Sequence, residues 1–267
     1  MYVKQISLSL RFLLFLFLFH SLSATAKIVV LNGLTHIHNT GLGQVVTGKI
    51  QVKNVGLKPE KVLVYKRDLL QTCDGKNDFA VAGSQERSSA KWLETNIDEK
   101  LLKEGEEYEI LYTIRIPQEN VLNGSYWSML MIEGADPVNE ELQKGVSIGS
   151  KIRYAIQVIT DIGTVENPKL SFENIFFKKT SPLIKTVNVK LRNPGTFMVR
   201  PKLLLEIYSK DGQKLKVLES TSQKVYPLSC KDYEIEIKDL PKGTYDAILV
   251  ADYGADLFGT NLVIEIE

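Results

Sequence analysis

Residues 107–116 read EYEILYTIRI, and this stretch decides the fold class. Polar and apolar side chains largely alternate along it, which is the period of a β-strand with one face on a core and the other in water. Turn-forming residues such as Asn123-Gly124 and Asp211-Gly212 separate segments of this kind. Many short strands divided by turns predict an all-β sandwich or barrel. The alternation recurs at residues 49–54 (KIQVKN), 152–159 (IRYAIQVI), 186–191 (TVNVKL) and 233–237 (YEIEI).

An internal repeat divides the strands into two units, because three signatures recur in the same order. They are Asn54-Val55-Gly56 and Asn193-Pro194-Gly195, Tyr108-Glu109-Ile110 and Tyr233-Glu234-Ile235, and Gly124-Ser125-Tyr126 and Gly243-Thr244-Tyr245. Agreement in order favours duplication over chance similarity between hairpins. The polar segment 161–168 (DIGTVENP), with its Gly and Pro, is typical of a linker. We therefore predict two tandem immunoglobulin-like β-sandwich domains, residues 27–160 and 165–267, since such a sandwich takes ~100 residues.

The N-terminus has the order of a secretory signal peptide. Lys4 and Arg11 supply positive charge, residues 12–19 (FLLFLFLF) form an apolar run, and Ala24-Thr25-Ala26 is a small-residue cleavage site. A membrane anchor is the alternative, but spanning a bilayer takes about 20 apolar residues. We predict cleavage after Ala26, export to the periplasm or cell surface of a bacterium, and no stable membrane insertion.

Composition restricts the partners and leaves few reactive groups. Lys and Arg total 33 and Asp and Glu total 32, so the charge balance gives no indication of a nucleic-acid partner. The two cysteines, Cys73 and Cys230, fall in different predicted domains. Export would permit a disulfide between them, but their wide separation favours two unpaired thiols.

Candidate chemistry is sparse, and we predict a protein that is not an enzyme and needs no cofactor or metal. His36 and His38 would share a strand face that a metal could use. No third ligand lies near them in the sequence, so a polar loop is the preferred interpretation. Asp74, Asn77 and Asp78 lack the spacing of an EF-hand calcium loop and are typical of a solvated turn.

Tyr126 and Trp127 open a strongly apolar strand, and neighbours on a strand face opposite sides. One of the two rings is therefore expected in the core. The other either packs at an edge, which is the commoner outcome, or is exposed for binding.

The strand at residues 148–159 carries the candidate partner-binding residues. Lys151 and Arg153 share one face and could hold a carboxylate, whereas Tyr154 and Ile156 lie on the other. An ordinary charged face of an antiparallel strand is the alternative for the basic pair. Open backbone groups on this strand could pair with a partner strand, with alternate side chains setting specificity.

The first half of the chain resembles the N-terminal domain of periplasmic pilus chaperones. The likeness lies in residues 108–117 (YEILYTIRIP), 124–137 (GSYWSMLMIEGADP) and 150–156 (SKIRYAI). This resemblance implies two immunoglobulin-like domains at an angle, a strand lent to pilus subunits, and two basic residues that hold a subunit's terminal carboxylate. Arg153 falls where one of these basic residues is expected. Residues 31–39 contain no counterpart of the other, and the family's aromatic-Arg-Pro ending does not follow Arg153.

Most of the chain after the signal peptide is also similar to two-domain bacterial cell-surface proteins, which join a peptidoglycan-binding domain to a host- or partner-binding domain. Residues 88–92 (SSAKW), 102–107 (LKEGEE) and 191–195 (LRNPG) carry this likeness. We predict an exported, non-catalytic protein-binding module that is chaperone-like in the assembly of surface fibres. The alternative is a structural or adhesive surface protein that binds the cell wall or a partner protein. Envelope or surface proteins are the expected partners, with peptidoglycan as a further candidate.

Overall fold

The structure, a computed structural model, describes residues 28–73, 77–135, 151–164, 170–181, 184–254 and 256–266. Every regular element in these ranges is a β-strand, as the alternation predicts. The predicted signal peptide with Lys27, Asp74 of the predicted turn, and residues 165–168 of the predicted linker lie outside the described residues. No helix among the described residues has the length and apolar character needed to cross a membrane.

Ten strands form two facing sheets in the N-terminal half. One sheet has the order β1-β3-β8-β6 and the other β2-β10-β9-β4-β5, with β7 paired to β4. In the lettering of immunoglobulin domains these sheets are A-B-E-D and C-F-G, with extra strands at the edges. The strands are β1 (Ile28–Val30), β2 (Thr35–Thr40), β3 (Val45–Asn54), β4 (Glu60–Gln71), β5 (Asn77–Val81), β6 (Leu93–Thr95), β7 (Glu99–Leu102), β8 (Glu107–Arg115), β9 (Gly124–Ala135) and β10 (Arg153–Ile162).

Seven strands form a second pair of sheets in the C-terminal half. The sheet β11-β12-β15 faces the sheet β14-β13-β16-β17, which is A-B-E facing C′-C-F-G. The described chain is therefore two immunoglobulin-like β-sandwiches in sequence, while the exact domain boundary stays a prediction. The strands are β11 (Ser171–Ser181), β12 (Ile184–Arg192), β13 (Lys202–Tyr208), β14 (Lys214–Glu219), β15 (Cys230–Lys238), β16 (Gly243–Asp252) and β17 (Leu257–Ile266).

The three repeated signatures fall on topologically equivalent strands, and the repeated asparagine has the same role in both halves. Asn54 ends β3, is fully buried, and donates through Nδ2 to the carbonyls of Lys58 (2.8 Å) and Leu102 (3.1 Å). Asn193 makes the corresponding pair of bonds to Phe197 and Val225. In both halves the asparagine Oδ1 accepts from the N–H of the Gly two residues later. In each half, the asparagine side chain therefore supplies hydrogen bonds to buried backbone groups that water cannot reach.

Each half has its own apolar core, built by the alternating strands. In β8, Ile110, Tyr112 and Ile114 are at most 1% exposed, whereas Leu111 between them is 49% exposed. In the C-terminal half, Val187, Leu205 and Leu249 are fully buried in a separate cluster. Because residues two apart on a strand share a face, the polar–apolar alternation in the sequence coincides with the alternation of exposed and buried side chains.

A third apolar cluster joins the two halves. Trp127, Met129 and Met131 lie on the face of β9 turned away from the N-terminal core, and they pack with Tyr226 of the C-terminal half. Residues 124–133 of β9 are consequently buried on both faces, which explains the nearly continuous apolar run YWSMLMI. Fully burying a large apolar side chain contributes about 1.5–3 kcal/mol, so this cluster stabilises the contact between the halves.

The prediction of unpaired cysteines is wrong. Cys73, just after β4, and Cys230, at the start of β15, form a disulfide with their Cα atoms 4.5 Å apart. Packing between the halves brings the end of β4 to the start of β15, and separation along the chain does not reveal such a contact. The bond covalently links the two sandwiches on the side that carries the third cluster.

Candidate partner-binding site

β10 lies between β9 and β2, but β2 covers only part of it. β9 pairs with β10 from Arg153 to Ile162, while β2 begins opposite Gln157. In the part of the chain that the structure describes, no strand pairs with the outer side of residues 153–156. The N–H and C=O groups on that side are therefore open to a ladder with another strand. We call residues 153–156 the open edge.

The direction of the open backbone groups follows from one hydrogen bond. The N–H of Gln157 points outward and donates to the carbonyl of Leu34 (2.9 Å). Because backbone groups alternate in direction along a strand, the N–H groups of Ala155 and Arg153 also point outward. The open edge therefore presents both donors and acceptors.

The structure separates the four predicted partner-binding residues into two groups. Ile156 is fully buried in the N-terminal core, and Tyr154 packs against that core. These two side chains pack β10 against the core and are not available to a partner. A partner could contact only the backbone of β10 and the strand face that carries Arg153. Lys151 and Arg153 are both exposed, with Arg153 at the first position of β10 and Lys151 two residues before it.

The two basic residues meet a carboxylate of their own chain. Arg153 Nε lies 2.9 Å from Glu133 Oε2 on β9, and Lys151 Nζ lies 3.9 Å from Glu133 Oε1. The Tyr65 hydroxyl also donates to Glu133 (2.9 Å). The hydrogen bond from Arg153 lowers the pKa of Glu133, so this carboxylate stays ionised. The pair can thus hold a carboxylate, but a partner's carboxylate would have to compete with Glu133.

A basic cleft between the halves was not predicted from the sequence. It has a volume of about 410 Å³ and opens beside Ala155 and Gln157 of β10. Three of its lining residues, Arg200, Lys224 and Lys231, are basic, and none of the described lining residues is acidic. Unlike the Arg153 pair, these cations have no carboxylate in the lining of the cleft to neutralise them, so the cleft favours an anionic group.

Lys224 connects this cleft by hydrogen bonds to β2 and β10 at the edge of the N-terminal half. Its Nζ donates to Thr35 Oγ1 of β2 (2.8 Å) and Gln157 Oε1 of β10 (2.6 Å). The Tyr226 hydroxyl donates to the same Gln157 oxygen (2.9 Å). Burial lowers the pKa of Lys224, and the charge of Arg200 lowers it further. The cleft therefore adjoins the open edge, since Ala155 and Gln157 of β10 both line it.

No signal in the sequence marks the cleft residues. Lys224 lies in the irregular stretch 221–229 (TSQKVYPLS), where there is no alternation to assign a face.

The prediction that one ring of the Tyr126–Trp127 pair lies in the core is confirmed. Tyr126 packs in the N-terminal core and Trp127 lies between the halves, with its ring centroid 4.5 Å from that of Tyr226. Both rings are buried, so the exposed binding aromatic does not occur.

His36 and His38 lie on β2 and not in a polar loop, so that expectation is wrong. Both rings turn into the sandwich and meet the buried hydroxyl of Tyr112, at 2.7 Å from His36 Nδ1 and 2.9 Å from His38 Nε2. The hydroxyl occupies the point on which the two ring nitrogens converge. Among the described residues, no group of three or more His, Cys, Asp or Glu side chains could hold a metal ion.

Comparison with known proteins gives structural likeness alone. No protein-family model matches the chain, and no curated protein matches it. The YadV chaperone is 12% identical with a TM-score of 0.47, covering 89% of this chain and 100% of that chain. A chain from the complex of the Salmonella enterica SafA pilin with the SafB chaperone is 13% identical with a TM-score of 0.44, covering 91% and 98%.

A third structure, the CsuC–CsuE chaperone-tip adhesion subunit pre-assembly complex of Acinetobacter baumannii, gives 12% identity and a TM-score of 0.44. That match covers 88% of this chain and 98% of the other. Pilus chaperones, the family of the first resemblance, are thus among the similar structures. At these identities and TM-scores, the fold assignment rests on the strand order of this chain, and the likeness assigns no function.

Proposed function

We propose that this protein is an exported, non-catalytic protein-binding module that takes a partner's β-strand on the open edge of β10. The observation that carries the proposal is a strand whose residues 153–156 have open backbone groups and whose next residue, Gln157, borders a basic cleft. A partner strand would gain main-chain hydrogen bonds from the edge. A carboxylate on the same partner would be attracted into the cleft.

The cleft supplies the stronger anchor in this proposal. A hydrogen bond to a charged group contributes about 1.5–3 kcal/mol, against about 0.5–1.5 kcal/mol for a neutral one. Arg200 and Lys231 line the cleft together with Lys224. A terminal or side-chain carboxylate that reaches these cations would fix the position of the partner strand along the open edge.

The cellular role we infer is chaperone-like, in the assembly of surface fibres in the periplasm. The motivation is the resemblance of residues 108–117, 124–137 and 150–156 to pilus chaperones, together with the signal peptide order at residues 1–26. An exported fibre subunit is the partner that fits a strand-docking edge. No feature of the described residues favours peptidoglycan as the partner.

Site-specific photo-crosslinking in the producing cell tests the proposal. A photoreactive benzoylphenylalanine is placed at Ile152, which is 43% exposed and adjoins the open edge. The matched control places it at Val217, which is 46% exposed on β14, an edge strand of the C-terminal half. We expect one exported protein to be captured from position 152 and not from position 217.

The identity of the captured molecule decides between the two functions. A fibre subunit supports the chaperone-like role, and binding of its terminal peptide can then be measured by titration calorimetry. Capture of cell-wall fragments would favour the structural or adhesive module. Equal capture from both positions, or none from position 152, would overturn strand docking at the open edge.

A further inference from the structure

β2 is an edge strand whose attachment includes an unusual hydrogen-bonded group. It runs parallel to β10, with Thr35 opposite Gln157 and Thr40 opposite Ile162. His36 and His38, two residues apart, both face inward and share the hydroxyl of Tyr112 on β8 of the opposite sheet. This trio connects the edge strand to the second sheet of the sandwich. We call it the histidine latch.

Counting protons shows that the latch tolerates one added proton but not two. A neutral imidazole has one N–H and one acceptor nitrogen, and a tyrosine hydroxyl has one hydrogen. In the neutral latch, one ring donates to the hydroxyl and the other accepts its hydrogen. A first proton can enter at the far nitrogen of the donating ring without breaking either bond. A second proton makes both contacting nitrogens donors, so the hydroxyl hydrogen loses its acceptor and two cations face one oxygen.

Among the described residues, no acidic side chain offers the protonated rings a compensating charge. Burial lowers the pKa of His36 and of His38, and the charge of His36 lowers the pKa of His38 further. Burial raises the pKa of Tyr112, which therefore stays a neutral hydroxyl. Two charged groups lie near β2. Asp161 on β10 accepts a hydrogen bond from Ser125, and Lys224 donates one to Thr35. Both lie on the face of the sheet that is turned away from the two histidine rings.

In the part of the chain that the structure describes, the strands packed against the inner face of β2 present no other ionisable side chain to the latch. On β3, the residue facing Tyr112 is Gly48, while its neighbour Lys49 points outward to Glu109. On β8, the neighbours of Tyr112 are the exposed Leu111 and the half-buried Thr113, neither of which is ionisable. Hydrogen bonds between His36 and the backbone of Gly33 and Asn32 act against burial and raise the pKa of His36, but burial is the larger effect and the pKa is lowered.

We propose that β2 is a pH-sensitive cover of β10, closed at neutral pH and released in acid when both histidines become protonated. Release would extend the open backbone edge from residues 153–156 to residues 153–162. The sign follows from linkage: a released strand binds protons more readily than a docked one. Docking is therefore full above about pH 6.5, the ordinary histidine pKa, and is lost as the pH falls through the lowered values. The latch stands by itself, and only its effect on strand binding rests on the proposed function.

Hydrogen exchange of the exported protein tests the latch without any partner. Amide exchange, corrected for intrinsic rates, is measured at pH 7.5 and pH 5.5 in peptides covering β2 (Thr35–Thr40), β10 and, as a control, β13. We expect protection in β2 and in residues 157–162 to fall about fivefold or more in acid, with β13 unchanged. The double variant His36→Gln with His38→Gln should lose this pH dependence. Equal protection of β2 at both pH values, or a pH dependence that persists in the double variant, would overturn the proposal.

A second measurement needs no variant. The chain has three histidines, and His20 leaves with the predicted signal peptide, so the exported protein would contain only the two latch rings. Titration of their ring nitrogens by nuclear magnetic resonance should show both pKa values below 6.5. Two rings that both titrate at 6.5 or above would contradict the latch, because the second proton is the one that breaks a hydrogen bond to the hydroxyl. Because no partner takes part, failure here leaves strand docking intact, and failure of the crosslinking test leaves the latch intact.

Discussion

At the scale of single residues, the environment of a charge decides what it can bind. Arg153 and the three cations of the cleft are all basic, but Arg153 already contacts Glu133 at 2.9 Å, while the described lining of the cleft contains no acid. An Arg–carboxylate contact inside one chain competes with the same contact across an interface. Arg153 therefore assists a partner only to the extent that the partner displaces or shares Glu133.

Replacing Arg153 by Ala tests its role in the proposed site. We expect the affinity for the captured partner to fall about tenfold, or about 1.4 kcal/mol, through the loss of a charge-assisted contact. Stability should change by about 1 kcal/mol or less, because the Arg153–Glu133 pair is largely exposed on the arginine side. Titration calorimetry and thermal melting measure the two effects.

Arg115→Ala is the matched control for this substitution. Arg115 also forms an exposed pair through Nε, with Glu94 at 3.4 Å, but it lies on the sheet that does not carry β10. Its loss should leave partner affinity unchanged. Equal affinities for the wild-type protein and Arg153→Ala would remove Arg153 from the binding site.

At the scale of elements, the position of β2 along β10 sets the length of the open edge. The ladder starts at Thr35 opposite Gln157, so the preceding residues of β10 keep their outward groups open. An edge with unpaired backbone groups is a liability for aggregation unless it is covered or used. The short length of the open edge limits this liability while leaving room for a specific partner.

Ala155→Pro tests whether the backbone of the open edge binds the partner. Proline removes the outward N–H of residue 155 without removing a bond to β9, and edge strands tolerate proline. We expect partner affinity to fall by about tenfold or more, with the N-terminal half still folded by circular dichroism. Ala155→Ser, which keeps the N–H, is the control and should bind nearly as the wild type does. Undiminished binding by Ala155→Pro would show that the partner uses another surface.

At the scale of the whole molecule, the two sandwiches are joined by the chain, by the third apolar cluster and by the Cys73–Cys230 disulfide.

Limited proteolysis tests the predicted boundary and the disulfide together. Cleavage within residues 161–168 should give two fragments that migrate together on a non-reducing gel and separate after reduction. Fragments that separate without reductant would show that the disulfide does not form. Early cleavage scattered through residues 45–159 would argue against a separate first domain.

Patterns in the sequence are enough to predict the strands, the duplication and the face that carries Arg153. The strands and the basic pair follow from a local rule, because side chains two residues apart share a strand face, and the duplication follows from signatures that recur in the same order. The alternation in residues 107–116 and in residues 152–159 therefore predicted both the cores and the face that carries Arg153.

The rest of the candidate site depends on packing between distant parts of the chain. The cleft combines β10 with Arg200, Lys224 and Lys231, which are distant in the sequence and share no pattern. The pairing of Cys73 with Cys230 and the meeting of the two histidines with Tyr112 also depend on packing between separate strands. Periodicity assigns a side chain to a face but not to a neighbour across a sheet or a domain contact, and those neighbours are what make the cleft, the disulfide and the latch.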